Sequence, residues 1–270
     1  MSLFKKFQQL HPYHIVTASP WPLLTSIGAF NVTIGGALYM HRFTNSGWIL
    51  AVGVFALATM MTFWWRDVVR EGTFEGMHTE EVQRGLKLGM ILFITTEVMF
   101  FFGFFWAYFH FSMDPSIALG GIWPPYGIEP FDPFGIPLLN TFILLLSGAT
   151  VTVAHYYILL GDAFKAGWWL IATLSCAVAF LTMQAFEYFV APFDISDGAF
   201  GSIFFMATGF HGFHVFVGTV FLAVCYVRLE RYHFTKDHHI GFLAAAWYWH
   251  FVDVVWLFLF VVVYWLPSVV

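Results

Sequence analysis

The chain has 270 residues, of which 60% are hydrophobic, 21% aromatic and only 10% charged. Soluble proteins carry about 25% charged residues, so this composition excludes an ordinary soluble domain and indicates a lipid bilayer as the solvent. The net charge of −5 comes without a basic cluster that could neutralise phosphates, which argues against a nucleic-acid partner. Cys176 and Cys225 lie in long apolar runs, so neither a disulfide framework nor a paired-cysteine zinc site is expected.

Seven stretches are long and apolar enough to cross a bilayer, which requires about 20 residues for each helix. The sequence therefore predicts an all-α membrane protein with seven transmembrane helices, and no cleavable signal peptide precedes them. No internal repeat is visible, which argues against the inverted-repeat architecture of many transporters. The predicted spans are 22–41, 48–65, 86–111, 136–160, 167–188, 200–227 and 240–266.

Two polar connections divide the predicted helices. The short connection at 42–47 makes the first two helices antiparallel neighbours, and a longer charged segment then separates them from the other five. We predict an N-terminal segment with two helices at 1–66, a polar loop at 67–85, and the remaining five helices at 86–270. A second connection at 113–135 is rich in glycine and proline and predicts an ordered surface loop.

The distribution of positive charge predicts the orientation in the membrane. With seven spans, ten of the eleven lysines and arginines fall on the N-terminal side, and only Arg42 falls on the opposite side. The positive-inside rule then places the N-terminus in the matrix or cytoplasm. The ten cations on that side are Lys5, Lys6, Arg66, Arg70, Arg84, Lys87, Lys165, Arg228, Arg231 and Lys236.

Glu97 lies near the middle of the third predicted span, among apolar residues. A charged group at that depth costs about 2.5–3.5 kcal/mol, so we expect the carboxyl to be protonated. It serves either as a proton-relaying or modulating group or as a neutral group that packs between helices. Glu187 lies nearer the end of a span, and we interpret it as a structural residue at the membrane interface.

Several histidines are spaced for a common helix face. His211 and His214 are three residues apart, as are His250 and Asp253, and His155 lies in the fourth span. Such residues bind haem or metals between helices in some proteins and form hydrogen bonds between helices in others. No HExxH motif or further histidine-rich face accompanies them, so we expect no metal or haem in this chain.

Two clusters of aromatic and basic residues lie on the N-terminal side. Tryptophan anchors a helix at the membrane interface, and arginine donates two parallel hydrogen bonds to a phosphate. The clusters therefore predict phospholipid head groups, although ordinary interfacial anchoring would use the same residues. One cluster comprises Trp64, Trp65, Arg66, Asp67, Arg70, Glu71 and His78, and the other Arg228, Arg231, His233, Thr235, Lys236, His238 and His239.

Five motifs give the sequence a family resemblance, and they occur in order over nearly the whole chain. The most specific is AAAWYWHFVDVVWLFL at 244–259, followed by ATGFHGFH at 207–214, WPPYGI at 123–128, PLLNT at 137–141 and SPWP at 19–22. With them the sequence resembles the cytochrome c oxidase subunit III family, in its mitochondrial form.

The resemblance implies an architecture and a function. Members of this family have two helices and five helices around a lipid-filled cleft, in the mitochondrial inner membrane with the N-terminus in the matrix. They are non-catalytic core subunits of the proton-pumping oxidase that passes electrons from cytochrome c to oxygen. Haem a and copper lie in partner subunits, and cytochrome c binds only through the complex. The family member packs against catalytic subunit I, holds structural phospholipids and supports proton uptake.

The resemblance also assigns roles to single residues. Glu97 matches the family's buried carboxyl, whose role is to modulate proton movement. Leu243 stands where the family commonly has glutamate, so the role of that acid cannot be carried over. Two alternatives stay open at this point: a membrane transporter of protons or solutes, which Glu97 would allow, and a b-type haem protein. The residues that match lipid-contacting positions of the family are Trp65, Arg70, His78, Arg228 and His233.

Overall fold

The computed structural model describes residues 11–269 except 116, 118 and 119, so Lys5 and Lys6 lie outside the described residues. It confirms an all-α protein: seven helices are long and apolar enough to cross a membrane, and no strand occurs in the described part of the chain. The helices are α1 (Trp21–Met40), α2 (Ser46–Thr73), α3 (Glu80–Met113), α4 (Ile136–Leu160), α5 (Ala163–Phe189), α6 (Gly198–Glu230) and α7 (Ile240–Leu259). A π-helical segment (Phe260–Trp265) and the short α8 (Leu266–Val269) continue α7.

The prediction of a polar loop at 67–85 was wrong for most of that segment. α2 continues to Thr73 and α3 already begins at Glu80, which leaves only a short turn between them. A hydrophobic stretch in the sequence marks only the part of a helix that lies inside the bilayer. Backbone hydrogen bonds continue the helix beyond that part. The 28 residues of α2 span about 42 Å, well beyond the roughly 30 Å of hydrocarbon.

The described residues form two compact units, divided between Leu86 and Lys87. In the first unit, α1 and α2 pack as an antiparallel hairpin, as the short connection predicted. Glycines allow the two backbones to approach closely: a Cβ atom at Gly35 would lie 2.7 Å from the backbone nitrogen of Leu50, and one at Gly53 would lie 2.9 Å from that of Val32. Small residues permit such close contact between membrane helices.

In the second unit, polar tips of large side chains join the helices. Trp249 and Trp256 of α7 donate their indole N–H groups to Ser147 and Thr141 of α4, each over 2.9 Å. The two tryptophans are almost fully buried, so they combine a large apolar contact with a hydrogen bond across the helix pair. These bonds fix the register of α4 against α7.

The predicted surface loop at 113–135 packs onto the second unit in its described part. Trp123 is buried, lies edge-to-face on Tyr108 of α3 and contacts Phe200 of α6. Phe131 stacks on Phe204, also in α6. The loop therefore covers the ends of these helices with aromatic rings.

The hairpin gives a prediction with a matched control. Gly35→Ala should lower the midpoint of thermal unfolding of the purified protein, because overpacking of this kind costs about 1–3 kcal/mol. Gly36 is the control, since a Cβ placed there would have no atom within 4 Å apart from the nearby backbone of its own helix. Gly36→Ala should leave the midpoint unchanged or raise it, because alanine favours the helix over glycine by about 0.8–1.0 kcal/mol. Equal midpoints for the two variants would contradict the close approach at Gly35.

Candidate functional site

Glu97 of α3 pairs with His214 of α6. The carboxyl oxygen Oε2 lies 2.8 Å from Nε2 of the imidazole, and the two side chains are 22% and 9% exposed. The other ring nitrogen, Nδ1, lies 2.6 Å from the carbonyl oxygen of Phe210. A carbonyl only accepts hydrogen bonds, so Nδ1 carries a hydrogen. Glu97 Oε2 and His214 Nε2 can therefore form a hydrogen bond only when exactly one of these two atoms carries a hydrogen.

Aromatic rings surround this pair. The imidazole of His214 lies edge-to-face with Phe101 and stacks on Tyr248, with ring centroids 5.1 and 6.2 Å apart. His214 is 117 residues from Glu97 in the chain, so the sequence did not predict this pairing.

His211 shares a helix with His214 but contacts a different neighbour. Its Nε2 lies 3.1 Å from the carbonyl oxygen of Val252 in α7, and its ring packs against Phe180 and Trp256. The two histidines therefore do not converge on a common ligand position. Each one instead joins α6 to another helix.

His250 and Asp253 lie on one face of α7, as their spacing predicted. Nδ1 of His250 lies 3.6 Å from Oδ2 of Asp253, which is too long for a hydrogen bond. Nε2 is 3.2 Å from the hydroxyl oxygen of Thr152 in α4. That hydroxyl donates to the carbonyl of Gly148, so it accepts the hydrogen of Nε2. The carboxyl of Asp253 lies so close to Gly148 that no side chain would fit there.

Glu187 is a buried residue near a helix end, as its place near the end of a span predicted. Its side chain is fully buried within the second unit, close to the end of α5. Tertiary packing covers it: Gln184, one turn earlier, donates to the hydroxyl of Tyr264 in the π-helical segment over 3.2 Å. Neither carboxyl oxygen of Glu187 has a hydrogen-bond partner among the described residues, nor does either polar atom of the Asn140 side chain in α4. These residues are buried polar groups of the second unit, and sequence reasoning did not predict their burial.

Arg228 and His233 lie together at the end of α6. The guanidinium carbon of Arg228 lies 4.4 Å from the centre of the Phe234 ring, and its side chain passes directly over Gly241. Partial burial, and then the positive charges of Arg228 and Arg231, lower the pKa of His233. The imidazole is therefore neutral at pH 7, and it can donate one hydrogen bond without adding charge.

The other three residues predicted to contact lipid lie in the first unit, and they do not form one cluster. Trp65 is exposed, and Arg70 forms an exposed ion pair of 2.9 Å with Glu75. His78 lies instead beside His14 and Glu71, and the donor atoms of these three side chains all lie within 4.8 Å of one another. Sequence reasoning had not considered His14, whose position depends on the folding of the N-terminal segment.

Comparison with known proteins decides the family. The sequence model described as Cytochrome c oxidase subunit III matches residues 11–268. Cytochrome c oxidase subunit 3 of Marchantia polymorpha is 59% identical over 257 residues, which cover 95% of this chain and 97% of that protein. The subunit 3 proteins of Prototheca wickerhamii and Chondrus crispus are 58% and 55% identical, over 94% and 98% of this chain and 97% of each relative.

The chain belongs to the cytochrome c oxidase subunit III family. The resemblance seen in the sequence is thereby confirmed, and with it the role as a subunit of an oxidase complex of the respiratory chain. Membership of the subunit III family decides against the two alternatives, a transporter and a b-type haem protein. Leu243, which departs from the family's usual glutamate, lies partly buried in the first turn of α7.

Proposed function

We propose that this chain is a non-catalytic core subunit of the proton-pumping cytochrome c oxidase of the mitochondrial inner membrane. Its N-terminus lies in the matrix, as the asymmetry of its lysines and arginines favours. Haem a, copper and the binding of cytochrome c belong to partner subunits, and the chain stabilises catalytic subunit I.

One structural observation supports contact with another subunit: a half-exposed ionisable side chain lies in the middle of a spanning helix. The side chain of His250 is 46% exposed, and Thr152, which it contacts, is exposed as well. Ionisable residues at membrane depth face protein or water rather than lipid, because hydrocarbon offers no hydrogen-bond partner. The surface around His250 is therefore suited to another protein subunit.

The same surface continues along α7 as a single stripe. Val254, Leu257, Phe258 and Val261 follow His250 at helical spacing, and all four are exposed large hydrophobic residues. A stripe of this kind packs against a second transmembrane helix by van der Waals contact. The half-exposed side chain of His250 adds one polar group to this stripe. We assign the stripe to catalytic subunit I.

The proposal includes structural phospholipid. Arg228 and His233 in the second unit, and Trp65, Arg70 and His78 in the first, are the residues proposed to contact head groups. The support is strongest for Arg228, because Phe234 and Gly241 hold its guanidinium in one place. A held guanidinium loses less side-chain entropy when it binds a phosphate with two hydrogen bonds.

Glu97 is proposed to modulate proton movement rather than to conduct protons for the pump. With His214 it can hold one proton in either of two positions without a change in heavy-atom geometry. Thr95 and Thr96 donate to carbonyls of their own helix and so do not hydrogen-bond to Glu97.

Cross-linking tests the subunit contact. A photoreactive probe on Val254→Cys should attach to catalytic subunit I in the complex isolated through this chain. Val220→Cys in α6 is the control, because Val220 and Val254 are 49% and 51% exposed. It should attach mainly to lipid. The isolated complex must also show the absorption of haem a, which verifies assembly. Labelling of lipid alone from position 254 in an assembled complex would contradict the assignment.

Bound phospholipid can be counted by mass spectrometry of the purified complex. Arg228→Ala should release tightly bound phospholipid, since it removes a charged donor to the phosphate. His233→Gln should retain it, because the amide replaces a neutral N–H donor. Arg70→Ala should have a smaller effect than Arg228→Ala, since Arg70 already pairs with Glu75. The exposed Arg231→Ala is the control, and an equal loss in this variant would show that only net charge matters.

Glu97→Gln tests the proton role. The amide can donate to Nε2 of His214, so assembly and electron transfer should stay near normal, and so should the number of protons pumped per electron in reconstituted vesicles. Glu97→Leu leaves Nε2 without a partner, at a cost of about 1–3 kcal/mol, and should lower the stability of the complex. A collapse of pumping in an assembled Glu97→Gln complex would show that the carboxyl conducts pumped protons.

A further inference from the structure

Three polar side chains come together in the core of the second unit. Gln184 and Glu187 lie one turn apart in α5, and Tyr264 lies in the π-helical segment that continues α7. All three are buried, with no more than 4% of their surface exposed. We propose that Glu187 is held there as a neutral acid and that the three residues bind one internal water molecule. This inference goes beyond the function proposed above and does not depend on it.

Contacts within the chain leave several of these polar atoms unsatisfied. Nε2 of Gln184 donates to the hydroxyl oxygen of Tyr264, and the same hydroxyl interacts electrostatically with the carboxyl of Glu187. Both carboxyl oxygens of Glu187 and the Oε1 atom of Gln184 nevertheless lack a hydrogen-bond partner in the described part of the chain. Buried polar atoms are almost always bonded to protein or to ordered water. The three residues therefore require a further hydrogen-bonding molecule.

The position of Glu187 also determines how its charge can be balanced. It lies near the end of α5, and about 33 Å of helix separates it from Lys165 near the start. A buried carboxylate without a cation is unfavourable, because burial removes its hydration. A proton therefore neutralises the carboxyl. All lysines and arginines of the second unit lie near the opposite ends of its helices or in the connection before α7: Lys87, Lys165, Arg228, Arg231 and Lys236.

A water molecule matches the donors and acceptors of a neutral acid in this place. Its oxygen can accept hydrogens from the carboxylic acid of Glu187 and from the hydroxyl of Tyr264. One of its own hydrogens can bond to Oε1 of Gln184. Buried waters make about three hydrogen bonds of this kind to otherwise unsatisfied groups. The bound water then links α5 to the π-helical segment.

The π-helical segment supplies an independent reason to expect a site here. π-helical turns are rare and often occur at functional positions. The wider turn rotates the side chains that follow it by about 100° for each additional residue, relative to a regular α-helix. Within the segment, Tyr264 is almost fully buried, and its hydroxyl faces Gln184 of α5. The irregular backbone thus coincides with the unsatisfied polar atoms.

Infrared difference spectra of the oxidase complex test the protonation of Glu187. Wild type minus Glu187→Gln should show the carbonyl band of a carboxylic acid, and the band should shift in heavy water because its hydrogen exchanges. Glu80→Gln is the control, since Glu80 is 82% exposed and pairs with Arg84. That variant should lose the bands of a charged carboxylate instead. Loss of carboxylate bands in both variants would overturn the proposal, because Glu187 would then be charged and balanced by a bound cation.

A high-resolution map of the wild-type complex tests the water, whether or not the variants assemble. Density should lie about 2.7–3.2 Å from the carboxyl of Glu187 and from Oε1 of Gln184. Direct hydrogen bonds between these two side chains, with no density beside them, would overturn the proposal.

Thermal unfolding of the complex adds a comparison of two variants. Glu187→Gln keeps a donor and an acceptor for the water and should unfold near the wild-type temperature. Glu187→Leu removes both and leaves polar atoms of its neighbours unsatisfied. It should unfold at least about 2–4 °C below Glu187→Gln. Equal unfolding temperatures for the two variants would contradict a bound water at this acid.

Discussion

The hydrocarbon of a bilayer supplies no hydrogen bonds, so every polar side chain in a spanning helix must find its partner within protein. Hydroxyls solve this locally: Thr59 and Thr182 donate to carbonyls four residues earlier in their own helices. In the second unit, indole and imidazole groups also reach across to a neighbouring helix. Trp249 reaches Ser147, and His214 reaches Glu97. These few long side chains therefore determine the register in which the helices of that unit pack.

The two units satisfy this constraint by different means. In the hairpin of α1 and α2, glycines let the backbones touch, and Trp21 donates to Asp67 near the membrane surface over 2.5 Å. In the second unit the contacts are made by aromatic side chains with polar tips, and α7 has the most buried membrane window of all the spanning helices. Gly218 of α6 belongs to this arrangement, because it leaves room for the ring of Trp249.

The sequence predicted what depends on composition and missed what depends on tertiary contacts. The seven spans followed from apolar length, because the thickness of the bilayer translates directly into residues per helix. The continuation of α2 to Thr73 was missed, since a helix does not stop where the hydrocarbon does. The partner of Glu97, the burial of Glu187 and the approach of His14 to His78 could not be predicted, because each depends on how distant segments pack. Family resemblance supplied positions such as Arg228 without supplying their geometry.

Two imidazole–carboxyl pairs show how packing separates similar chemistry into different roles. In both pairs one ring nitrogen is committed as a donor, in His214 to the carbonyl of Phe210 and in His250 to the hydroxyl of Thr152. The remaining nitrogen of His214 lies 2.8 Å from the carboxyl of Glu97, and aromatic rings surround the pair. That of His250 stays 3.6 Å from Asp253, at a half-exposed position. The pair of Glu97 and His214 is hydrogen-bonded within the chain. The pair of His250 and Asp253 is open, because one nitrogen of its ring has no hydrogen-bond partner among the described residues. Under the function proposed above, the open pair lies on the side that contacts another subunit.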